Sequence, residues 1–482
     1  MSKYDLYEAV IGLEVHAQLL TNTKAYSSDL SAYGGSPNTH VSVVTLGHPG
    51  TLPVVNKHSA ELAIAMGLAT HCTINRNNLF ARKNYFYADL PKGYQITQDK
   101  TPICTDGHLL IGEFGKEKKV RIHRIHMEED AGKSIHDLDP FNTLVDLNRA
   151  GTPLIEIVTE PDIRSGEEAS LYLTEIRKLV RFLGICDGNM EEGSLRCDAN
   201  ISVRKKGVSE LGTKVEVKNM NSIRNVRRAI EHEIKRQIDI LEEGGTISQE
   251  TRSFVAADGS TVAMRSKEQA HDYRYFPEPD LPPLIVTDEL LERVKEEMPP
   301  LPRELMSSYI NELGLTQYDA ELLSGEKETV SYFETLRKHT ANYKAAANWM
   351  LGPVREWLNA NALELSDFPI SSENLAGVIS LIDEGKLNFS IASRQLFPAM
   401  LENPAKSPAE LADALNLIQE QDDDLIAGLV DEVLKDFPEK AEAYRNGKKG
   451  LIGMFMGEVM KRSKGKADPK MATQLLQKAL DN

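Results

Sequence analysis

The sequence lacks the patterns that signal an oxidising compartment, a sulfur-bound metal or a membrane. Its 482 residues include only four cysteines, which are widely spaced and form no CxxC pair. Neither a zinc knuckle nor a disulfide framework is therefore indicated. No apolar run approaches the roughly 18 residues that span a bilayer, and no signal-peptide pattern opens the chain. We expect a cytoplasmic protein with reduced thiols and no membrane partner.

The chain also lacks the positive charge of a general nucleic-acid binder. Its formal net charge is −16, so phosphate is repelled on average. The charge is uneven, because residues 440–482 contain ten Lys or Arg against four Asp or Glu. On charge alone, this basic segment is as typical of a solvated helical face as of an anion-binding surface.

Two familiar catalytic motifs are missing as well. The segment 131–134 ends like a Walker motif, but Met127 stands where that motif requires its first glycine. No Ser or Cys has a recognisable nucleophile setting for glutamine hydrolysis. Cys197 falls on the apolar face of its predicted strand, which is typical of a core thiol. If the chain uses ammonia from glutamine, another polypeptide must release it.

The organisation of the chain is that of the α+β class. Strand-like alternation fills residues 1 to about 293, and helical periodicity dominates after proline-rich breaks at 277–283 and 299–302. A further break lies at 402–408. We predict a large α+β domain, an all-helical connector and a small helical tail domain, at 1–293, 294–405 and 406–482.

Three predicted strands, at 9–19, 194–204 and 214–218, each have one apolar and one polar face. Successive side chains of a strand alternate between faces. One such strand is typical of an ordinary half-solvated sheet, but here the short ligands Glu, His, Asp and Asn recur. The polar faces include Glu14, His16 and Gln18; Arg196, Asp198 and Asn200; and Lys214, Glu216 and Lys218.

Two further segments, 126–133 and 190–194, concentrate carboxylates near these strands. Gathered carboxylates repel one another unless a cation lies among them. Oxygen ligands with an imidazole suit Mg²⁺ or Mn²⁺, hard ions that usually accompany nucleotide phosphates. The sequence therefore predicts a sheet-borne Mg-ATP site. The carboxylates are Glu128, Glu129, Asp130, Glu191 and Glu192, and the phosphate-neutralising candidates are Arg82, Lys83 and Arg196.

Several long segments resemble one known family, the B subunits of the bacterial aspartyl/glutamyl-tRNA(Asn/Gln) amidotransferases. They occur in the order of the family and cover nearly the whole chain, which chance does not produce. The segments are 10–16, 82–87, 126–134, 146–156, 160–165, 190–202, 216–222, 272–280 and 347–349.

The resemblance implies a fold and a reaction. The first domain would be a cradle on an antiparallel sheet, similar to the catalytic fold of glutamine synthetase. ATP and Mg²⁺ would serve to phosphorylate the side-chain carboxylate of Glu-tRNA(Gln), Asp-tRNA(Asn) or both. Phosphorylation is needed because a carboxylate oxygen is a poor leaving group. Ammonia made by a partner, the amidase-type A subunit, would then attack, and a small C subunit would complete a heterotrimer.

The resemblance also assigns roles to individual residues. The expected metal ligands are Glu14, His16, one or both of Glu128 and Glu129, Asp198, and Glu191 or Glu192. The residues expected to contact nucleotide or substrate are Arg82, Lys83, Tyr85, Arg196 and Asn200. The expected catalytic set is Glu14, His16, Lys83, Tyr85, Glu128, Glu129, Arg196 and Asp198.

One departure from the family concerns a structural zinc. Many members bind it through a Cys-x-Cys and a Cys-Pro-x-Cys pair near the N-terminus. The corresponding positions here are Ser27, Asp29, Ser42 and Thr45. Since the thiolates are absent, we predict no zinc.

The basic segment gains a functional interpretation from the resemblance, because the helical and tail domains of the family contact tRNA. We expect its cations to meet tRNA phosphates. They are Lys448, Lys449, Lys461, Arg462, Lys464 and Lys466.

Three rival hypotheses explain the sequence less well. A glutamine-synthetase-type ligase acting on a free small carboxylate has no need for a basic tail domain. The archaeal, glutamate-only relative carries an inserted domain for which the chain has no room. A non-catalytic tRNA-binding scaffold gains nothing from carboxylates concentrated near an anionic ligand.

Overall fold

The computed structural model describes residues 2–264, 273–418, 423–463, 467 and 469–481. The chain forms two compact units, residues 1–302 and 303–482. Every described strand lies in the first unit. The strands are β1 (Tyr7–Gln18), β2 (Thr73–Ile74), β3 (Asn77–Asn78), β4 (Ala81–Asn84), β5 (Tyr94–Thr97), β6 (Cys104–Ile111), β7 (Lys118–Glu129), β8 (Lys133–Ile135), β9 (Leu144–Asp146), β10 (Pro153–Thr159), β11 (Leu195–Lys205), β12 (Val215–Lys218), β13 (Thr251–Val255), β14 (Ser260–Ala263), β15 (Phe276–Pro277) and β16 (Leu284–Ile285).

The first unit is built on a nine-stranded sheet of these described strands, in the order β14-β13-β12-β11-β1-β10-β7-β6-β2. Its pairs are antiparallel, except that β12 and β13 run parallel. The unit is therefore α+β, and its sheet is antiparallel with one exception. The helices of the unit are α1 (Lys57–Ala69), α2 (Gly166–Phe182), α3 (Ile223–Glu242) and α4 (Asp288–Glu297).

One face of the sheet forms the core with helices α1, α2 and α3. On β1 the residues Leu13, Val15 and Ala17 are at most 1% exposed, whereas the side chains between them are partly exposed. Burying one such aliphatic side chain stabilises the fold by roughly 1.5–3 kcal/mol. This burial fixes the register, because a slip of one residue would turn the polar side chains into the core.

A small sheet, β15-β4-β5, stands beside the large one. Gln95 on β5 donates a hydrogen bond from Nε2 to the Glu129 carbonyl at 2.6 Å. The Ile96 backbone N–H donates to Oε1 of the same glutamate at 2.8 Å. These bonds hold the small sheet against the end of β7, next to Glu128.

The second unit consists of helices in the part of the chain that the structure describes. Two of its turns, Met350–Val354 and Ala392–Leu396, are π-helical. Taking both units together, no described helix combines the length and apolarity needed to cross a bilayer. The helices of the second unit are α5 (Pro302–Asn311), α6 (Gln317–Leu323), α7 (Lys327–Leu336), α8 (Tyr343–Trp349), α9 (Arg355–Asn361), α10 (Ser372–Asp383), α11 (Phe389–Ile391), α12 (Phe397–Glu402), α13 (Pro408–Ala414), α14 (Asp423–Asp436), α15 (Pro438–Arg445), α16 (Ile452–Arg462) and α17 (Pro469–Asp481).

The predicted domain boundaries stay a prediction, and packed elements lie across both of them. The boundary at 293/294 falls inside α4, whose Leu291 and Val294 belong to the core of the first unit. The boundary at 405/406 separates α13 from α10, although these two helices pack together. A separate buried cluster begins only at Ile426 and runs to Leu480. Proline-rich breaks mark where elements end, but they do not show which neighbour the next helix packs against.

The four positions that replace the zinc cysteines lie together in the loop after β1. The Asp29 carboxylate is their centre. It accepts hydrogen bonds from the Ser27 hydroxyl at 2.9 Å, the Ser42 backbone N–H at 3.0 Å and the Thr45 hydroxyl. A hydrogen-bonded carboxylate thus connects the two segments that contain these positions, and the absence of zinc stays a prediction.

Asp29→Ala should lower the free energy of unfolding by about 1–3 kcal/mol, since three donors lose a charged acceptor. Burial raises the pKa of Asp29, but hydrogen bonds from Thr45 and Ser42 outweigh it, so its pKa lies below the ordinary 3.8. A group with a lowered pKa stabilises the fold above its ordinary pKa and loses that effect as pH falls through the lowered value. Denaturant unfolding should therefore show the largest difference at neutral pH and a shrinking one below about pH 4.

The matched control is Asp137→Ala, because Asp137 is an exposed loop carboxylate. Its substitution should leave the unfolding midpoint within experimental error. Equal effects of the two substitutions would contradict the assigned role of Asp29.

Candidate functional site

The polar face of the large sheet forms the floor of a cavity of about 810 Å³. The register places its side chains in two rows. In one row His126 on β7 faces Glu156 on β10, which faces His16 on β1. His16 in turn faces Arg196 on β11. In the neighbouring row Glu14 faces Asp198. The sheet register therefore assembles residues that are far apart in the sequence.

The first acidic cluster consists of His126, Glu128 and Glu156. His126 Nε2 lies 3.3 Å from Glu156 Oε2 and 3.7 Å from Glu128 Oε2. One ligand atom from each of the three residues lies within 4.8 Å of the others, and all three residues are buried. His16 Nε2 also contacts Glu156, at 3.3 Å.

The second acidic cluster consists of Glu14, Asp198 and Glu216, whose ligand atoms also lie within 4.8 Å of one another. Lys218 Nζ contacts Asp198 Oδ2 at 2.6 Å and Glu216 Oε1 at 2.9 Å. Asn200 donates from Nδ2 to Glu14 Oε1 at 2.9 Å. The cluster is partly open to the cavity, so its carboxylates are accessible to a ligand.

The pKa shifts show how strongly negative this face is. Burial, together with the charges of Glu156 and Glu216, raises the pKa of Glu14. Burial alone would lower the pKa of His126, but Glu156 and Glu128 outweigh it and raise that pKa to about 9. An environment that favours an imidazolium also favours a divalent cation, and carboxylate oxygens with imidazole nitrogen suit Mg²⁺ or Mn²⁺.

The small sheet β15-β4-β5 forms a wall of the cavity beside this floor. Lys83 on β4 extends its Nζ to within 3.6 Å of Glu128 Oε1. Burial lowers the pKa of Lys83, but the charges of Glu128 and Glu156 outweigh it and raise the pKa above its ordinary value. Tyr85 also lines the cavity, and its hydroxyl donates to Gln95.

Buried cationic donors complete the cavity. Arg124 Nε and Arg196 Nε are buried, and each lacks a hydrogen-bond partner among the described residues. Both side chains line the cavity. The Arg196 guanidinium is held by Asp130 through an Nη2–Oδ2 contact of 2.6 Å. Donors left without a protein partner suit the oxygens of an anionic ligand such as a phosphate.

Most of the predicted site residues meet in this cavity. Asn200 lies beside it, bonded to Glu14. The predicted residues that line the cavity are Glu14, His16, Lys83, Tyr85, Glu128, Arg196 and Asp198.

Four predicted residues lie elsewhere. Arg82 turns away from the cavity and is held by Glu278 at 2.7 Å. Glu129 points to the opposite face of β7 from Glu128 and contacts Lys92. Glu191 and Glu192 are exposed in the turn before β11, where the Asn189 side chain accepts from their backbone N–H groups.

Other cavity residues escaped prediction as site residues. Glu156 sits on β10, where nearly every residue is buried, so alternation along that strand carries no signal. The signal for others was available, since Arg124, His126 and Glu128 follow the two-residue period of β7. The missed residues that line the cavity are Arg124, His126, Glu156, Glu216 and Lys218.

The segment that resembles a Walker motif has a steric role. A Cβ on Gly132 would lie 2.8 Å from the Asp89 carbonyl, which is closer than real Cβ contacts come. The Gly132 backbone N–H donates to that same carbonyl at 2.8 Å. The glycine therefore permits two backbone segments to cross closely.

The predicted tRNA-binding cations differ in their ion pairs and in their exposure. Lys449 Nζ contacts Asp481 at 2.8 Å, and Arg462 contacts Asp436. Lys461 is 78% exposed, with Glu458 at 3.9 Å, and Lys448 is exposed. Lys464 and Lys466 lie outside the described residues.

Divalent-cation titration should detect two ions per chain, one for each cluster. Glu156→Gln and Glu216→Gln should each remove one ion, because losing a carboxylate ligand weakens binding by about tenfold or more. The double variant should bind neither ion tightly. Mn²⁺ serves as the reporter, with free Mn²⁺ measured by electron paramagnetic resonance.

Glu192→Gln is the control for this titration, since that carboxylate is exposed outside the cavity. It should leave both ions in place. A loss of binding in this variant, with full binding in the other two, would show that the clusters are wrongly assigned.

Comparison with known proteins places the chain in one family. Residues 9–292 match the family described as "GatB/GatE catalytic domain", and residues 331–480 match the "GatB domain". The chain is 49% identical over 474 residues to the B subunit of an aspartyl/glutamyl-tRNA(Asn/Gln) amidotransferase from Syntrophotalea carbinolica, covering 98% of each chain.

Relatives of the same description from other bacteria agree. The protein from Thermodesulfovibrio yellowstonii is 48% identical, over 98% of this chain and 99% of its own. The protein from Pelagibacter ubique is 47% identical, over 99% of this chain and 97% of its own. With both matched regions and relatives of this similarity across its full length, the chain belongs to the GatB/GatE family.

Proposed function

We propose that this chain uses ATP to phosphorylate the side-chain carboxylate of Glu-tRNA(Gln), Asp-tRNA(Asn) or both, and then amidates it. The observation that carries the proposal is the pairing, in one cavity, of two acidic clusters with buried arginine donors. The names of the relatives, which are subunits of tRNA amidotransferases, support the substrate.

The residues present fit Mg²⁺ and a nucleotide. The first cluster offers His126, Glu128 and Glu156, and the second offers Glu14, Asp198 and Glu216. Mg²⁺ bound there would neutralise phosphate charge and polarise the transferred phosphoryl group. Arg124 and Arg196 would bind phosphate oxygens with donors that lack protein partners among the described residues.

In the first step, a carboxylate oxygen of the substrate attacks the γ-phosphorus of ATP, and ADP leaves. Lys83 Nζ, which lies 3.6 Å from Glu128, would stabilise negative charge on the transferred group. In the second step, ammonia attacks the carbonyl carbon of the acyl phosphate, and phosphate leaves with the excess proton. The products are the amide and inorganic phosphate.

We expect ammonia to come from elsewhere, because no thiol of the described part of the chain is set up as a nucleophile, and burial raises the pKa even of the partly exposed Cys72. Cys104, Cys186 and Cys197 are buried, and burial raises the pKa of Cys197 far above its usual range. The proposed source is the amidase-type A subunit, and a small C subunit completes a cytoplasmic heterotrimer. The proposal includes a glutamine-synthetase-like cradle, followed in the sequence by a helical connector and a helical tail.

The rival functions explain less of the structure. A non-catalytic tRNA-binding scaffold has no use for buried carboxylates beside an anionic ligand, because they weaken phosphate binding. A ligase acting on a free small carboxylate leaves the basic tail segment without a role.

The direct test is ATP-dependent amidation of each misacylated tRNA by the assembled complex, with ammonium chloride as the amide donor. The wild type should form Gln-tRNA(Gln), Asn-tRNA(Asn) or both. Glu14→Gln should lower kcat by about a hundredfold or more, because one carboxylate of the second cluster is lost. Ammonium bypasses the partner's glutaminase, so the loss reports on this chain alone.

The matched control is again Glu192→Gln, which should keep wild-type kcat and KM. Wild-type activity in Glu14→Gln would overturn the assigned site. Failure of the wild-type complex to amidate either tRNA would overturn the proposed function itself.

The tail segment is proposed to contact tRNA phosphates through its exposed lysines. Lys448→Glu combined with Lys461→Glu should weaken tRNA binding by about tenfold at low salt, and less at high salt. Filter binding at two salt concentrations measures this effect. ATP hydrolysis without tRNA should be unchanged, and unchanged tRNA affinity would contradict the proposal.

Arg462 is left out of this charge reversal because its side chain holds two helices of the tail together. Arg462 contacts Asp436 and Glu432 on α14, so reversing its charge would disturb the tail itself. Arg462→Glu is therefore the comparison variant. We expect it to lower the thermal unfolding midpoint, whereas the two lysine reversals should not.

A further inference from the structure

The Glu216 carboxylate of the second cluster is held by donors from two strands. Thr251 on β13 pairs with Glu216 on β12 in the register of the sheet. The Thr251 hydroxyl donates to Glu216 Oε2 at 2.8 Å. Lys218 Nζ, on β12, contacts the other oxygen of the same carboxylate, Oε1, at 2.9 Å. Each oxygen of Glu216 therefore has its own donor.

Two donors on separate oxygens restrict the rotation of a carboxylate. Each carboxylate oxygen offers two lone pairs, so both oxygens of Glu216 keep one lone pair for a cation. Ligand atoms of Glu14, Asp198 and Glu216 lie within 4.8 Å of one another. The orientation of Glu216 thus decides whether the cluster offers three oxygens or two.

The strand that carries Thr251 is anchored by a buried charge on α3. Glu233 is completely buried, and Arg236 donates two hydrogen bonds to its carboxylate at 2.7 and 2.9 Å. Thr261 on β14 donates to Glu233 Oε2 at 3.1 Å and accepts from Arg252 Nε at 2.9 Å. Neighbouring side chains of a strand point to opposite faces. Arg252 therefore ties β13 to the helix-bearing face, while Thr251 reaches Glu216 on the polar face.

The two donors to Glu216 differ in charge. Lys218 is a cation, shared with Asp198 Oδ2 at 2.6 Å, and a divalent cation bound in the cluster would repel it. The Thr251 hydroxyl is neutral and meets no such repulsion. It can hold the carboxylate while a cation is bound, which Lys218 does less well.

We propose that Thr251 is a positioning residue, whose hydroxyl orients the Glu216 carboxylate and thereby strengthens divalent-cation binding at the second cluster. This inference rests on the proposed function, in which that cluster binds Mg²⁺. Strand β13 thus serves the site, although the carboxylates of the cluster lie on β1, β11 and β12. Hydrogen-bond partners of metal ligands commonly act in this way.

Mn²⁺ titration with detection of the free ion by electron paramagnetic resonance tests the proposal. Thr251→Val removes the hydroxyl and keeps the branched shape. It should raise the Kd of the second cluster for Mn²⁺ by about tenfold and leave that of the first cluster unchanged. Thr251→Ser should restore the wild-type Kd, because it keeps the hydroxyl.

Two backgrounds assign the effect to one cluster and one residue. In Glu156→Gln, which weakens the first cluster, the change in Kd is read on the second cluster directly. In Glu216→Gln, adding Thr251→Val should have no further effect on Mn²⁺ binding, because the two substitutions remove the same interaction.

Amidation by the assembled complex, with ammonium chloride as donor, gives a second measurement. Thr251→Val should raise the Mg²⁺ concentration for half-maximal rate by about tenfold, while kcat at saturating Mg²⁺ stays within about twofold of wild type. A loss of kcat that saturating Mg²⁺ does not recover would contradict a role in orienting a metal ligand.

Thr246→Val is the matched control, since Thr246 is exposed in the loop before β13. It should keep the wild-type Kd for both ions. Thermal unfolding midpoints separate positioning from a general structural role. A lowered midpoint of Thr251→Val with weaker binding at both clusters would show that the hydroxyl supports the fold, and would overturn the proposal.

The remaining outcomes distinguish this inference from the proposed function. Wild-type Mn²⁺ affinity in Thr251→Val, or no recovery in Thr251→Ser, would overturn the role of Thr251 while the proposed function stood. Absence of a second ion from the wild type would reject the cluster and this inference together. Absence of amidation by the wild-type complex would instead reject the proposed function.

Discussion

The mutual repulsion of carboxylates on one face of a sheet is the constraint on which the rest of this structure depends. Five carboxylates share the cavity clusters, three of them Glu14, Glu156 and Asp198 on the adjacent strands β1, β10 and β11. Buried like charges are unfavourable unless they are compensated. Here the compensation comes from Lys83, Lys218 and the imidazole of His126, and a bound cation would supply the remainder.

This arrangement needs a sheet that cannot slip. The aliphatic face of β1 and β11 shares one core with α2 and α3. This packing prevents a shift of even one residue in the pairing of the two strands. Close opposition of Glu14 and Asp198 follows from the register, not from contacts between the carboxylates, which repel. The core therefore holds in place a site that is unfavourable by itself, which is common for functional sites.

The alternation of side chains along a strand explains which of the predicted site residues the structure brings together. The polar faces of β1, β11 and β12 were predicted from alternation, and the sheet brings them together. The same rule explains why two predicted residues lie outside the cavity: Glu129 and Arg82 are adjacent in sequence to Glu128 and Lys83, so they point to the opposite faces of β7 and β4. Alternation from His126 would have selected Glu128 and rejected Glu129.

Two features of the site, the role of Glu156 and the order of the strands, have no signal in the local sequence. Strand β10 is buried along almost its whole length, so nothing in its sequence distinguishes Glu156 from a core position. The order of strands in the sheet, which places β10 between β1 and β7, follows from long-range packing. Resemblance to a family identified the segments that matter, but only the register showed which side chains within them meet.

The distribution of charge explains how an acidic chain can bind anionic substrates. The cavity pairs anions with cations: Arg196 contacts Asp130, and Lys218 contacts Asp198. A phosphate entering the cavity would meet arginine and lysine donors as well as carboxylates. A divalent cation bound there would let the phosphates approach the carboxylates of the floor, and the base would lie away from that charged floor.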